Sequence, residues 1–129
     1  MKFSKTKVIA CFLLTAMMVV GFAATAWAAP GLQWHTDRVY YDDSGRIIVD
    51  GYFYNNGSRI IEWVNWYTVQ VYFRQANSDW WLAASTTFYD LNLYLYPGDS
   101  VRWKFRISNV DYYRFDYWRV NWNVNYNFK

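Results

Sequence analysis

The side chains able to do chemistry in this sequence are few and scattered. His35 is the only histidine. A catalytic or zinc-bound histidine needs partners, and no cysteine follows Cys11, so carboxylates would have to complete any zinc site. Asp42, Asp43 and Asp50 bracket one turn and offer oxygen ligands. Their spacing is not that of a calcium loop, and turn aspartates commonly bond the nearby backbone instead. A glycosidase would need two facing carboxylates at a set separation, and the dispersed acids of this chain carry no such signature. No Gly-x-Ser-x-Gly, no nucleophile with its base and no phosphate loop occurs. The expectation is a protein without enzymatic chemistry, metal or cofactor.

Two other groups of side chains fit binding better. Arg102, Lys104 and Arg106 alternate along one segment, so on a strand they form a positive row on one face. Such a row either meets acids across the sheet or contacts an anionic polymer or partner, with salt-sensitive affinity. The second group is aromatic. From Ala29 onward the chain holds 27 Phe, Trp and Tyr residues and 19 Val, Ile and Leu. A two-layer domain turns only about half its strand positions inward, so many of these rings must lie on the surface or in an interface. Tyr52 and Tyr54 oppose Val49, Gly51 and Phe53. Trp66, Gln70, Tyr72 and Arg74 oppose Asn65, Tyr67, Val69, Val71 and Phe73, and Tyr94 and Tyr96 oppose the leucines around them. Flat rings with polar handles stack on sugars or pack against protein. Tyr52, Tyr54, Trp66, Tyr72, Tyr94 and Tyr96 are therefore the expected binding residues.

The elements that must carry them read as strands. Val120, Trp122, Val124, Tyr126 and Phe128 alternate with Asn121, Asn123, Asn125 and Asn127, the period of a half-buried strand. Val101, Trp103, Phe105 and Ile107 alternate in the same way with the basic row and Ser108, and Leu91, Leu93 and Leu95 with Asn92, Tyr94 and Tyr96. Further strands are expected at Arg38–Tyr41, Arg46–Asn55, Glu62–Arg74 and Trp80–Phe88. Asp42-Asp43-Ser44-Gly45 separates the first two of these. Asn56-Gly57 has the composition of a two-residue hairpin, Gln75 to Asp79 forms a connection, and Pro97-Gly98 suits a type II turn. Asn109 to Asp116 is a looser connection before the last strand. Seven or eight strands with no 3.6-residue period predict an all-β fold, an antiparallel immunoglobulin-like β-sandwich. Aromatic-rich alternating strands also describe an outer-membrane barrel, but eight strands of 9 to 11 residues would nearly exhaust the chain.

Residues 1 to 28 read as a helical secretory signal peptide. Lys2, Lys5 and Lys7 precede an apolar run from Val8 to Val20, and Ala26-Trp27-Ala28 supplies small residues for cleavage. The preferred cut follows Ala28, with Ala26 as the second site. Cys11 lies within this leader with too little chain before it for a lipoprotein signal. The domain expected at 29–129 then has ten basic and ten acidic residues, against the +3 of the whole chain. No global positive field remains to favour nucleic acid, and no second apolar run is long enough for a membrane helix.

Three stretches together are similar to a known group. They are Val49-Asp50-Gly51-Tyr52-Phe53-Tyr54-Asn55-Asn56-Gly57, then Trp81-Leu82-Ala83-Ala84-Ser85-Thr86-Thr87-Phe88, then Leu93-Tyr94-Leu95-Tyr96-Pro97-Gly98-Asp99-Ser100-Val101-Arg102-Trp103-Lys104-Phe105. Over residues 46 to 108 this order of strands, turns and core positions resembles the SLAP and FxLYD-type domains of bacterial envelope proteins. The resemblance implies an exported sandwich module, placed in the periplasm, on the cell surface or in the medium, without reaction chemistry. The function expected is that of an envelope-associated binding module contacting cell-wall polysaccharide or protein through exposed rings. The alternative is a structural subunit, a homo-oligomer assembled through strand edges and aromatic surfaces, since the Asn-rich last strand has no proline and little charge.

Overall fold

The computed structural model describes residues 30–129; the leader read at 1 to 28 lies outside them. The described chain is all-β, with β1 at Leu32–Tyr41, β2 at Ile47–Asn55, β3 at Ile61–Arg74, β4 at Trp81–Leu91, β5 at Ser100–Ile107 and β6 at Tyr117–Phe128. They form two antiparallel three-stranded sheets with the orders β1-β2-β5 and β4-β3-β6. Among the described residues there are six strands rather than seven or eight.

One sequence feature accounts for the difference in number, and a second changes which strands are neighbours. The segment expected as a Leu91–Tyr96 strand is a crossing between sheets, touching β3 by a single bridge between Leu95 and Ile61. Leu93 and Leu95 are buried there while Tyr94 and Tyr96 point out, so the alternation is real but the ladder is not. Asn56-Gly57 is not a hairpin either, because β2 and β3 belong to different sheets. It is a corner: the Asn55 side chain accepts from Gly57 N–H at 2.9 Å, and the Asn56 side chain accepts from Gly31 N–H at 2.8 Å. Asparagine bonded to its own backbone serves a corner as well as a hairpin. Pro97-Gly98 behaves as expected. Gly98 has φ +85°, and Asp99 N–H donates to the Tyr96 carbonyl at 3.0 Å, which closes a type II turn.

The sheets meet through rings. Trp34, Phe53 and Phe105 from one sheet pack on Tyr67 from the other, with Tyr67 and Phe105 stacked at 4.3 Å and 5° between planes. Val49, Val64, Val69, Val71, Ile47 and Ile61 fill the space around them. The β5–β6 connection is pinned to this core at two points. Phe115 stacks on Phe73 at 3.9 Å, and the Tyr41 hydroxyl donates to the Asp111 carbonyl and accepts from Tyr113 N–H. One core polar group stands apart: the Tyr67 hydroxyl is buried with no hydrogen-bond partner among the described residues, and burial pushes its pKa well above the ordinary phenol range.

An unpaired buried hydroxyl costs desolvation without return. Tyr67→Phe keeps the stack and removes that cost, so its urea midpoint should equal or exceed that of the unchanged protein. A loss above about 1 kcal/mol would mean that the hydroxyl is bonded, and this account of the core would be wrong.

Candidate functional site

The six expected binding residues do not form one site. The corner at Asn56-Gly57 sends β3 to the opposite sheet, which separates the tyrosines of β2 from the rings of β3 by the full thickness of the core.

Tyr52 and Tyr54 lie on the outer face of β1-β2-β5, beside the basic row. Register places Tyr52 between His35 and Arg102, and Asp50 between Arg38 and Lys104. Asp50 is only 5% exposed. Its carboxylate accepts from Arg38 Nε at 3.1 Å and from Arg102 Nη2 at 3.2 Å, and Arg102 Nη1 meets Asp37 at 2.8 Å. Burial alone would raise the Asp50 pKa; the two guanidiniums and nearby Lys104 outweigh it and hold the carboxyl below its ordinary range. His35 sits at the rim of this network, 3.3 Å from Asp37 and with its ring 5.1 Å from that of Tyr52. Arg102 therefore meets acids across the sheet, while among the described residues Lys104 and Arg106 have no ion-pair partner.

Trp66 and Tyr72 lie on the outer face of β4-β3-β6. Here the rows across the sheet are Tyr89–Trp66–Asn125, Thr87–Thr68–Asn123, Ser85–Gln70–Asn121 and Leu82–Tyr72–Arg119. The middle of the face carries only hydroxyls and amides, and rings stand at both ends. Strand rise separates Trp66 from Tyr72 by about 20 Å. Between them Thr68, Gln70, Asn121, Trp122 and Asn123 line a shallow hollow of about 180 Å³. That is about six waters' worth of space, the scale of one sugar ring. Thr68 and Thr87 hydroxyls bond each other at 3.0 Å. Among the described residues the Gln70, Ser85 and Asn121 side chains bond no protein group, which leaves their donors and acceptors free for a ligand.

The far end of this face is braced. Arg119 lies over the rings of Tyr72 at 4.8 Å and Trp80 at 4.9 Å, and Arg74 over Trp80 at 5.3 Å and Tyr117 at 4.6 Å. This alternation of ring and guanidinium fixes the Tyr72 ring, at about 0.5–1 kcal/mol per exposed pair. Asn65 departs from the expected grouping with Tyr67. A bulge between Val64 and Trp66 turns it outward, where its amide donates to Asn125 at 2.7 Å and Asn127 at 3.1 Å.

Tyr94 and Tyr96 form a third, separate place on the crossing before β5. Their rings are 5.6 Å apart, and the Lys129 ammonium lies 5.4 Å from the Tyr94 ring. The carboxylates that bracket the Asp42–Gly45 turn do not converge. Asp42 accepts from Ser44 N–H and Arg46 N–H and pairs with the Arg46 guanidinium, while Asp50 points to Arg38. Among the described residues no three metal-ligating side chains cluster.

Tyr89 was not singled out by sequence although it is 68% exposed beside Trp66. The signal was present: Ser85, Thr87 and Tyr89 continue one alternation, but only pairing to β3 shows that it completes the same face. Another hollow, about 400 Å³, lies between the edges of β4 and β5 from Leu82–Thr86 to Ile107–Asp111, and Tyr113 is the one ring that lines it. No protein-family model, curated protein or solved structure matches this chain.

The charge network around Asp50 carries a pH consequence. A carboxyl whose folded pKa is lowered adds stability above its unfolded value, and that contribution is lost as pH falls through the folded value. Urea midpoints should therefore drop as pH falls below about 4. Asp50→Asn should make the drop shallower, with Asp42, also lowered, supplying what remains. An unchanged slope in Asp50→Asn would show that the guanidiniums do not hold the charge.

Proposed function

We propose that this protein is an exported, non-enzymatic binding module that holds an uncharged polysaccharide of the cell envelope on the outer face of β4-β3-β6. The observation that carries the reading is the composition of that face: neutral amides and hydroxyls around a shallow hollow, those of Gln70, Ser85 and Asn121 bonding no protein group among the described residues, with Trp66 and Tyr89 at one end and the braced Tyr72 at the other. Sugar rings present apolar C–H faces edged by hydroxyls, so aromatic rings and neutral hydrogen-bonding groups are what they need. The fixed Tyr72 ring loses little freedom on binding, which lowers the cost of recognition. The central hollow holds no ionised side chain, so a neutral chain fits better than an anionic one.

Export rests on the leader read at residues 1 to 28, which would deliver the domain to an envelope glycan. The strand orders support an immunoglobulin-like sandwich: β1, β2 and β5 correspond to strands A, B and E, and β4, β3 and β6 to C′, C and F. In that arrangement the glycan face is the exposed surface of the C-type sheet, a sheet face rather than a loop cluster.

Titration calorimetry with neutral cell-wall glycan fragments tests this. Trp66→Ala and Gln70→Ala should each weaken binding about tenfold, near 1.4 kcal/mol, while Tyr52→Ala on the opposite sheet should leave it unchanged. Binding lost in Tyr52→Ala but kept in Trp66→Ala would move the site to the basic face. No binding of neutral glycan by the folded protein would end the proposal.

A further inference from the structure

The four sheet edges of this protein are not alike. An exposed edge strand offers unpaired N–H and C=O groups to any other strand, and natural proteins blunt such edges with bulges, charges or irregular backbone. β1 has a bulge between Thr36 and Arg38. β4 breaks register near Ala83 and has Asp90, one residue before its end, at φ 57°. β5 carries Arg102, Lys104 and Arg106. β6 has none of these. It runs twelve residues from Tyr117 to Phe128, without bulge or proline of its own, and Arg119 is its only charge.

Its open edge can be assigned from two hydrogen bonds. Lys129 N–H turns inward to the Ile60 carbonyl, whereas Val124 N–H bonds the Asn123 side chain instead of β3. Successive N–H groups of a strand point to opposite sides, so the even-numbered residues present theirs at the open edge. The same even residues, Trp118, Val120, Trp122, Val124 and Tyr126, turn their side chains toward the core yet all remain half-buried. A strand beyond β6 would finish covering them.

We propose that the occupant of this edge is β6 of a second copy, paired antiparallel about a two-fold axis. The sequence of β6 is its own complement. An antiparallel two-fold pairing centred near Trp122 sets even residues against even and odd against odd. Apolar side chains then meet on the inner side, and asparagine rows run together on the outer side. Each Arg119 falls opposite an asparagine of the other copy, so no like charges meet. Residues 30–129 carry ten basic and ten acidic side chains, and a net charge near zero removes the repulsion that keeps soluble domains apart. The strip is about 40 Å long and two sheets deep, which is of the order of the 800 Å² per partner that specific interfaces bury. Pairing must release Val124 N–H from Asn123, one hydrogen bond exchanged for a ladder of them. The product is a continuous six-stranded sheet, β4-β3-β6 joined to its symmetry mate, with the two polar faces merged into one surface.

Sedimentation velocity across concentration, on protein expressed from the full sequence, tests the pairing. The unchanged protein should sediment as a dimer that dissociates on dilution. Asn121→Lys with Asn123→Lys places like charges across the two-fold, and both positions are exposed, so the fold should survive. This variant should raise the dissociation constant at least tenfold. Val124→Pro removes an open-edge donor while sparing the ladder to β3 and should do the same; if it fails to fold, the lysine pair decides alone. Ser85→Lys with Thr87→Lys on β4 should leave the dimer intact. A monomer at every concentration overturns the proposal. So does association that the β6 lysines leave unchanged, or association that the β4 lysines abolish.

Discussion

The stack of Tyr67 on Phe105 is the contact on which the rest of the structure depends. It joins the central strand of one sheet to an edge strand of the other, in a domain whose described residues contain no cysteine and hence no disulfide. Cohesion must come from burial, and aromatic rings supply the most buried area per side chain. Trp34, Phe53 and Phe105 enclose the Tyr67 ring from the facing sheet. With Tyr67 held inward and the ladder regular from there to Val71, the period of two sends Thr68, Gln70 and Tyr72 outward. The polar middle of the outer face is thus a by-product of where the core rings sit. The unpaired Tyr67 hydroxyl is the cost of using tyrosine at that place.

Much of this was legible along each strand and little of it between strands. Alternation placed Val49 and Phe53 inside and Tyr52 and Tyr54 outside, because local period alone decides the two sides of a strand. Asn65 escaped that rule, since a bulge adds a residue and flips the count; nothing in Val64-Asn65-Trp66 marks it without the partner strand. Asn56-Gly57 predicted a hairpin from turn chemistry that a corner shares. That one ambiguity had the widest effect, because it decides whether β3 lies beside β2 or across the core from it.

The candidate site shows the same division. Each of the six expected ring residues faces outward, as alternation implied, yet the six fall on three separate surfaces. The basic row is also divided: Arg102 is committed to Asp37 and Asp50, while among the described residues Lys104 and Arg106 form no ion pair and Lys104 acts on Asp50 only through its charge. Sequence identifies which side chains face outward; only topology says which outward faces are the same face. Tyr89 joins Trp66 for that reason, as does the asparagine row of β6.

The asparagine row belongs both to the outer face of β4-β3-β6 and to the edge strand of that sheet. A face proposed to hold neutral sugar would gain from uncharged amides, since ionised groups would hold water and counter-ions over the hollow. The usual protection of an edge strand is charge, most often lysine. On β6 the two demands conflict, because its odd residues both line the polar face and border the open edge. The sequence resolves the conflict in favour of the face, placing asparagine at four alternate positions from 121 to 127. β4, the other edge of the same sheet, keeps a neutral Ser85 and Thr87 but blunts its edge by backbone irregularity instead. A bulge in β6 would have broken the row of amides, so that device was not open to it. An unprotected edge follows from a neutral, regular face at the sheet margin, and under the proposed pairing a second copy of the same strand would cover it without adding charge to either side.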